Sequence, residues 1–595
     1  MSFNQDAAAK FERMGRMLEL LGENRFRVNA YANAARAIER QTRDLSELAG
    51  DQSALTAIDG IGKGTAEKLA ELASTGRLEE LDELEARVPP GLLDVMEIPG
   101  VGPKTAKAIW ETLGVTDVEG LRGAIEDGRI LEVPRMGKKA AEKIRESLAF
   151  AEQSGKRLHL GLAMPIAEAL VERLGSIEGV ERIAFAGSLR RGRETIGDVD
   201  LLCVSSDPKA VADAFCEGDR VVQVIGRGET KCSARVKIEG APTRWKGFPA
   251  DDTPSVQVDL RLVPAESWGA ALMYFTGSKE HNVRLRERAQ KRGMTLNEYG
   301  LYELDQAGEK PAGDPVAGRT EEEVYAALGL AWIPPELRED LGELDRDPPE
   351  DLVTVGAIAA ELHAHTTESD GRLTLDELVQ QAIDRGFHTI AVTDHSRSSA
   401  QAGGLDVDRL KVQRETIEAA RERFGDAIAI LHGCEVDIHA DGSLDFEDET
   451  LYWLDWVVAS PHVALDQPSA KATERLVKAV SHPAVHVLGH PTGRIIERRR
   501  GLEPAMDEVF AAAAEHNTAL EINAHWLRLD LRDDQVRGAL EAGCLIAIDC
   551  DVHSAENFDS LRFGVATGRR GGLTVERCIN AWGAGELEKW RGASR

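Results

Sequence analysis

The sequence predicts a protein of several domains that combines α+β and α/β regions: a helical N-terminal part, a mixed middle and a C-terminal parallel β/α barrel. Three observations predict this division. Residues 1–150 have helical periodicity broken by short glycine-bearing turns, and residues 151–335 alternate apolar strand-like runs with helices. After Ile358, units of strand, metal-type ligand and helix recur, which is typical of a parallel barrel with its site at the strand ends.

Composition sets limits on the class of protein. The 595-residue chain is long enough for several cores, and its hydrophobic content of 42% is ordinary for a globular protein. It contains no run of about 18 apolar residues, and its start lacks the basic and apolar regions of a signal peptide. Seven scattered cysteines without a Cys-x-x-Cys pair argue against a disulfide framework or a thiolate zinc site. We therefore expect a cytoplasmic protein with no membrane association.

The net charge of −30 at first opposes a nucleic-acid partner, but this charge is unevenly distributed. Residues 1–300 carry 43 Lys and Arg against 47 Asp and Glu, whereas residues 301–595 carry 29 against 55. The face around Arg284, Arg288 and Arg292 is locally basic, although such a run is also typical of a solvated helix. The acidity belongs to the second half, so the first half remains compatible with DNA.

Two turns in the helical region share the pattern hxGhGxxTA, in which h is apolar: residues 58–66 and 98–106. They resemble helix-hairpin-helix modules, whose backbone N–H groups bind DNA phosphates without reading sequence. We expect a degenerate third copy at residues 133–140, and the alternative for all copies is a purely structural helix connection. The expected DNA-binding residues are Gly60, Gly62, Gly64, Gly100, Gly102 and Lys104.

Two aspartates alternate along an apolar run in the middle region. The period of a strand puts Asp198 and Asp200 on one face, and a second alternating run is expected to bring Asp259 alongside. Three carboxylates suit Mg²⁺ or Mn²⁺, and two ions about 4 Å apart stabilise the entering and leaving oxygens of an in-line displacement. Just before them, Gly187 and Ser188 open a predicted helix whose N–H groups favour a triphosphate. The pattern predicts a nucleotidyl-transfer site, against the alternative of an acidic surface strand.

The combination GSxxRG…DxD resembles the nucleotidyltransferase superfamily, and its fuller form is similar to family X DNA polymerases. The resemblance extends to residues 274–282, where it implies that Tyr274 and Phe275 exclude a ribose 2′-OH and that Asn282 touches the base edge. One departure is Lys279, which stands where the vertebrate-type pattern has an acid. The nucleotide-binding set implied by the resemblance is Gly187, Ser188, Arg191, Gly197, Arg261, Tyr274, Phe275, Gly277, Lys279 and Asn282.

The N-terminal residues 24–68 resemble the small deoxyribose-phosphate lyase domain of the same family. The resemblance puts Lys68 at the Schiff-base position, where a lysine needs a lowered pKa to attack an opened sugar. However, Gly64 stands where the family has a phosphate-binding lysine. An ordinary solvated helix lysine is therefore the favoured reading of Lys68.

Metal-type ligands cluster where the apolar runs of the C-terminal region end. A single histidine there would more often be an ordinary core or surface residue, but nine recurring candidates predict a metal site. Mixed imidazole and carboxylate ligands suit Mn²⁺, Zn²⁺ or Fe better than Mg²⁺. The candidate ligands are His363, His365, Asp370, His395, Glu435, His462, His490, Asp551 and His553.

This ligand set resembles the polymerase and histidinol phosphatase (PHP) domain. The resemblance implies three ions, a bridging Glu435 and phosphoester hydrolysis. Two departures, Glu361 in place of Asp and His525 in place of Asn, remove no ligand. The expected domains are 1–84 (lyase-like, first hairpin), 85–150 (fingers, second hairpin), 151–262 (palm), 263–335 (thumb), 336–355 (acidic, Pro-rich linker) and 356–595 (PHP).

By this resemblance the chain is a monomeric repair polymerase that fills short gaps in gapped or nicked DNA with dNTPs. The PHP domain is expected to act at DNA 3′ ends as a 3′→5′ exonuclease or 3′-phosphatase, and to cut abasic sites. Three alternatives stay open: a PHP phosphoesterase whose polymerase core only senses nucleotide, a DNA-end protein without catalysis, and a nucleotidyltransferase for a non-DNA acceptor. The presence of Asp259, Tyr274 and Phe275 argues against the first alternative, and the complete ligand sets argue against the second. The tandem hairpins argue against the third.

Overall fold

The computed structural model describes residues 3–39, 45–58, 60–96, 98, 101–142, 144–145, 148, 157–238, 255–305 and 311–593. They form two compact units, Met1–Ser154 and Gly155–Arg595. All seven cysteines are buried and free. The described part of the chain holds no helix with the length and apolar content to span a bilayer.

The first unit is helical and has one apolar core. The two long first helices pack as a hairpin, with Phe11, Met14 and Ile38 fully buried between them and their neighbours. The helices that the structure describes in full are Phe3–Leu21, Arg25–Glu39, Gln52–Thr56, Lys63–Thr75, Glu79–Arg87, Leu92–Val95, Pro103–Leu113 and Val118–Glu126.

The three hairpin sequences share one backbone design. Each has a turn closed by a hydrogen bond between apolar residues, and these bonds are Ile61 N to Ile58 O (3.0 Å), Val101 N to Ile98 O (2.8 Å) and Met136 N to Val133 O (3.0 Å). Each turn ends on a glycine carbonyl that accepts from the alanine four residues on: Gly62 from Ala66, Gly102 from Ala106 and Gly137 from Ala141. Gly60 has a φ of 83°, and Arg135 takes the same left-handed conformation in the third copy. The third sequence therefore forms the same turn.

The second unit begins with a mixed five-stranded sheet, in the order β2 (Val180–Phe185), β4 (Val199–Ser205), β7 (Ser255–Leu262), β6 (Lys231–Lys237) and β5 (Val221–Arg227). The apolar side chains of the helices Leu160–Gly175 and Pro208–Cys216 share one core with Val199 and Leu201 of this sheet. A separate antiparallel pair is formed by β1 (Leu158–His159) and β3 (Thr195–Ile196).

A smaller mixed layer follows, with its own core around Met273, Leu285 and Tyr325. The segment predicted to be a linker contributes to this core, because Arg338 is fully buried and Leu344 packs with the cluster. The elements are the helices Trp268–Thr276, Lys279–Gln290 and Glu321–Ala327, and a three-stranded antiparallel sheet of β8 (Met294–Asn297), β9 (Gly300–Leu304) and β10 (Pro311–Ala317).

Seven parallel strands in chain order form the barrel. A bridge between Ala364 and Val552 joins the first strand to the segment after the last, which nearly closes the sheet. The strands are β11 (Ala360–Ala364), β12 (Thr389–Val392), β13 (Ala429–Asp437), β14 (Trp456–Ser460), β15 (Val487–Leu488), β16 (Ala519–Asn523) and β17 (Ile546–Asp549). The helices are Leu375–Asp384, Val407–Phe424, Asp448–Trp453, Ser469–Val480, Met506–His516, Asp533–Glu541, Leu561–Gly571 and Ala584–Ala593.

The barrel packs directly on the five-stranded sheet domain. Ile496, Leu529 and Phe563 of the barrel are buried in the core of that domain. A Cβ added at Gly161 would lie 2.2 Å from the Trp526 ring, so the barrel fills the space beside this glycine. His159 Nε2 lies 3.0 Å from Glu497 Oε2. The two domains therefore share apolar packing as well as polar contacts.

Glu321 fastens the sheet domain to the smaller layer. Its carboxylate accepts two hydrogen bonds from Arg190, at 2.7 and 2.8 Å, and one from Arg338 at 2.7 Å. Burial opposes ionisation of Glu321, but the bond from Arg190 and the charge of Arg338 outweigh it and lower the pKa to about 2. The contact is thus a buried, ionised network.

Replacing this carboxylate should destabilise the protein in a pH-dependent way. Because the folded pKa is depressed from 4.5, its stabilisation is present above pH 4.5 and is lost as the pH falls toward 2. We expect Glu321→Gln to lower the free energy of unfolding by about 3 kcal/mol at pH 7. Urea unfolding at pH 7, 5 and 4 should show this deficit shrinking below pH 4.5. The exposed neighbour Glu322→Gln is the control, and an equal deficit in both variants would contradict the assignment.

Candidate active sites

Three aspartates meet on the five-stranded sheet. Strands β4 and β7 are parallel neighbours, and their register sets Asp200 directly opposite Asp259. Asp198 lies just before β4, and one carboxylate oxygen from each of the three residues lies within 4.8 Å of the other two. The arrangement offers convergent hard oxygen ligands to divalent cations.

The charges of this cluster are only partly balanced by protein groups. Burial and the neighbouring charges of Asp198 and Asp259 raise the pKa of Asp200 to about 7. Burial also opposes ionisation of Asp259, but hydrogen bonds from Lys231 Nζ, 2.6 Å away, and from Ser233 and Gln257 together outweigh it and lower the pKa. The remaining repulsion is what a Mg²⁺ or Mn²⁺ ion would relieve, so the donor set fits the expected cofactors.

The turn before the aspartates requires glycine at its first position. Gly187 has a φ of 65°, and a Cβ there would lie 2.6 Å from Asp200 Oδ2. The helix that follows is a single turn, Gly187–Arg190, with Ser188 half-buried, whereas Gly197 is exposed near Asp198. Arg191 donates from Nε to Glu339 Oε1 (3.0 Å) and from Nη1 to the Thr276 carbonyl (2.6 Å). Its Nη2 bonds none of the described residues.

The predicted nucleotide-binding stretch lies next to this turn. The Arg261 guanidinium stacks 4.0 Å from the centre of the Phe275 ring, whose edge contacts Tyr274. Asn282 donates from Nδ2 to the Tyr274 carbonyl at 2.7 Å, so its amide braces the stretch. Gly277 has a φ of 73° and lies against Arg191, and Lys279 is exposed at the start of its helix.

The candidate residues of the first unit are placed differently from one another. Lys68 is not free, because its Nζ lies 2.8 Å from Glu80 Oε2, and Glu80 also accepts from Tyr31 at 2.6 Å. The Nζ atom that would have to attack a sugar is thus engaged in an ion pair. Gly60, Gly62, Gly64, Gly102 and Lys104 are exposed, whereas Gly100 lies outside the described residues.

The nine histidine and acidic candidates of the barrel converge at the carboxyl ends of its strands. Glu435 is central, with its oxygens near His395 Nδ1 (2.7 Å), His490 Nε2 (2.9 Å), His462 Nε2 (3.2 Å), His363 Nε2 (3.4 Å) and His365 Nε2 (3.6 Å). Asp551 lies 3.1 Å from His365, and Asp370 lies 3.3 Å from His553 and 3.5 Å from His395. A central carboxylate among imidazoles is suited to bridging ions.

The donor atoms of this cluster fit transition-metal ions. Several are buried and, among the described residues, form close contacts but no well-directed hydrogen bond: His363 Nε2, both ring nitrogens of His365, His395 Nδ1, Glu435 Oε2 and Asp551 Oδ1. Their residues fall into three overlapping ligand groups, which accords with three ions. His490 and Asp551 also have positive φ, a local strain found at functional sites.

Sequence reasoning missed the residues that orient these ligands. Glu521 accepts from His363 Nδ1 at 2.6 Å, Asp437 contacts His462 Nδ1, and Asn523 donates to Asp551 at 3.0 Å. The signal was alternation, since Asp437 follows Glu435 by two residues on β13 and Asn523 follows Glu521 by two on β16. Glu361, by contrast, accepts from the Cys550 N–H and serves the backbone.

A cavity of about 300 Å³ opens beside Asp551 and His553. Arg498 and Arg528 line it, and Nη1 of Arg528 is buried without a hydrogen-bond partner. Neither arginine forms an ion pair with a carboxylate in the described ranges. Two uncommitted guanidinium groups next to a metal-type cluster suit phosphate oxygens.

The fold and the two sites define a nucleotidyltransferase joined to a metal-dependent phosphoesterase. Family comparisons agree with this class. Residues 2–78 match a helix-hairpin-helix domain and residues 92–149 a SAM-like helix-hairpin-helix tandem. Residues 271–339 match the DNA polymerase beta thumb and residues 361–525 the PHP domain.

Comparison with whole proteins gives the family. The chain is 35% identical over 585 residues, 98% of either chain, to DNA polymerase/3′-5′ exonuclease PolX of Bacillus subtilis (strain 168). It is 27% identical over 362 residues to DNA polymerase lambda of Rattus norvegicus, covering 57% of this chain and 56% of that one. It is 29% identical over 206 residues to a probable phosphatase of Caldicellulosiruptor saccharolyticus, covering 33% and 80%. The chain belongs to the PolX family, family X DNA polymerases that carry a PHP domain, and the family and fold class predicted from the sequence are confirmed.

The barrel cluster should bind metal independently of the aspartate cluster. We expect the double variant His363→Ala, His365→Ala to lose at least two Mn²⁺ equivalents per chain after dialysis, because these imidazoles belong to two of the three ligand groups. Elemental analysis of the purified protein measures this. The surface variant His482→Ala is the control, and unchanged metal content in the double variant would overturn the ligand assignment.

Proposed function

We propose that this protein is a gap-filling DNA repair polymerase whose PHP domain hydrolyses phosphoesters at DNA 3′ ends. The observation that carries the proposal is the register of Asp200 opposite Asp259, with Asp198 beside them. Three carboxylates at one point, next to a nucleotide-binding stretch, support transfer of a nucleotidyl group. The 35% identity to DNA polymerase/3′-5′ exonuclease PolX extends over 98% of the chain, so it supports both halves of the proposal.

In the polymerase half, Asp198 and Asp200 would hold two Mg²⁺ or Mn²⁺ ions, and Asp259 would share one of them. Bound there, the ions would stabilise charge on the entering 3′-oxygen and the leaving pyrophosphate. The Gly187 turn offers backbone N–H groups to a triphosphate, and Arg191 Nη2 adds a cation. Phe275, stacked by Arg261, presents a rigid surface to the sugar and excludes a ribose 2′-OH.

In the PHP half, the nine ligands would hold Mn²⁺, Zn²⁺ or Fe, which would supply Lewis acidity for phosphoester hydrolysis. Glu521 and Asp437 orient the imidazoles of His363 and His462. Arg528 and Arg498 would bind the phosphate oxygens of a DNA end in the adjoining cavity. Release of a terminal nucleotide, removal of a 3′-phosphate and cleavage at an abasic site each require only the hydrolysis of a phosphoester bond.

DNA binding is assigned to the first unit. The exposed turns at Gly62, Gly64 and Gly102 offer backbone N–H groups to phosphates, and Lys104 adds a charge. The second half is strongly acidic, so gapped or nicked duplex would reach the PHP site by being tethered through the first half. We propose that one chain with DNA and dNTPs is the working complex.

The two activities should separate genetically. Asp198→Ala with Asp200→Ala should abolish primer extension on a labelled gapped duplex and spare 3′ degradation, since the second site is intact. His363→Ala with His365→Ala should do the reverse. Reactions with and without dNTPs, in Mg²⁺ and separately in Mn²⁺, measure both products. Asp207→Ala on the same sheet domain is the control. Degradation without extension in the wild type would favour the nucleotide-sensing phosphoesterase instead.

Removal of the uncommitted guanidinium should weaken only the hydrolytic activity. We expect Arg528→Met to lower the kcat/KM for 3′ degradation about tenfold, the scale of one lost charge-assisted phosphate contact. Primer extension should be unaffected. The surface variant Arg532→Met provides the comparison, and a wild-type degradation rate in Arg528→Met would rule out the phosphate contact.

A further inference from the structure

One barrel helix lies directly against the proposed nucleotide-binding turn, residues 187–192. A Cβ at Gly192, the last residue of that turn, would lie 3.1 Å from Ala566 Cβ of the helix Leu561–Gly571. From the same helix, Arg570 Nη1 donates to the backbone carbonyl of Arg191 at 2.8 Å. The barrel thus touches the turn through backbone contact as well as packing.

Arg570 binds three domains at once. Its side chain is 4% exposed. Besides the Arg191 carbonyl, Nη1 donates to Glu339 Oε1 at 2.9 Å, and Nε and Nη2 donate to Asp533 Oδ2 at 2.9 and 2.6 Å. Asp533 belongs to the barrel, so it fixes the guanidinium from behind. Arg570 therefore contacts Arg191 of the palm and Glu339 of the thumb with its guanidinium group held in a fixed orientation.

Glu339 passes this constraint to the side chain of Arg191. The same Glu339 oxygen accepts from Arg570 and from Arg191 Nε, at 2.9 and 3.0 Å. Burial disfavours the ionised carboxylate, but the charges of Arg570 and Arg191 outweigh it and keep the pKa of Glu339 below its usual value. With Nε on Glu339 and Nη1 on the Thr276 carbonyl, Arg191 has one fixed orientation that leaves Nη2 available.

The charges around Arg191 also indicate that Arg570 supports binding of a triphosphate. Arg191, Arg193 and Arg570 carry three positive charges against the two negative charges of Glu339 and Asp533. Without Arg570 the group would be neutral, and Glu339 would pair fully with Arg191. These four remaining residues would then offer a triphosphate no net positive charge.

We infer that Arg570 of the PHP domain is a positioning residue for the polymerase reaction, which holds Arg191 ready for the triphosphate of the incoming nucleotide. The inference rests on the proposed polymerase function of the palm. It makes the barrel part of the nucleotide-binding site, in addition to its own phosphoesterase chemistry. The expected effect is on nucleotide binding and not on the chemical step.

The test compares two arginines of one helix in the full-length protein. Arg570→Met should raise the KM for dNTP on gapped DNA about fivefold to tenfold, the scale of one charge-assisted hydrogen bond, with kcat within about twofold. The Kd for dNTP, measured with a dideoxy-terminated primer, should rise equally. Arg562→Met is the matched control, because Arg562 binds Glu168 of the palm at 2.8 and 2.9 Å away from the turn. It should keep the wild-type KM.

Arg570→Lys separates charge from geometry and guards against misfolding of the methionine variant. It keeps the positive charge but cannot bond the Arg191 carbonyl, Glu339 and Asp533 together, so an intermediate KM supports the inference. An unchanged KM and Kd in both Arg570 variants would overturn it. Equal losses of extension and 3′ degradation in the Arg570 and Arg562 variants would also overturn it, since they indicate general damage to the interface. Absence of extension by the wild type would instead refute the polymerase proposal itself.

Discussion

Two carboxylates on neighbouring strands repel each other, and the palm sheet holds Asp200 directly opposite Asp259. Parallel pairing of β4 with β7 fixes this register, and the apolar residues between the acids, buried in the core, prevent a slip by one residue. Lys231 balances one acid, so the cluster keeps an excess of negative charge for cations. The turn at Gly187 lies directly against this cluster, since a Cβ there would meet Asp200.

The two sites handle charge in opposite ways. The palm site gathers acids with few neutralising groups, whereas the barrel site surrounds Glu435 with imidazoles that are in turn fixed by Glu521 and Asp437. The first arrangement suits hard ions that arrive with a substrate, and the second suits ions that stay bound. The two ligand sets therefore differ in the hardness of the ions that they favour.

Features that depend on a local sequence pattern could be predicted, whereas features that depend on long-range contacts could not. Alternation at Asp198 and Asp200, the repeated glycine turns and the ligands at strand ends are readable because each repeats over a few residues. Glu321, Arg528 and Arg570 belong to no such repeat, since their partners or cavities are assembled by tertiary packing. The pairing of Lys68 with Glu80 could not be predicted from the local sequence either, because Glu80 lies on a neighbouring helix. The acidic segment 336–355 reads as a spacer, yet it supplies the buried Arg338 and the shared Glu339.

The fit of Trp526 beside Gly161 has an evolutionary consequence. A shorter chain without the barrel would leave the space beside Gly161 unfilled. It would also expose the apolar surface that is now covered by Ile496, Leu529 and Phe563. Such a truncation would aggregate unless substitutions filled this space in the same lineage. A residue larger than glycine at position 161 is therefore compatible only with a chain in which Trp526 is displaced or absent.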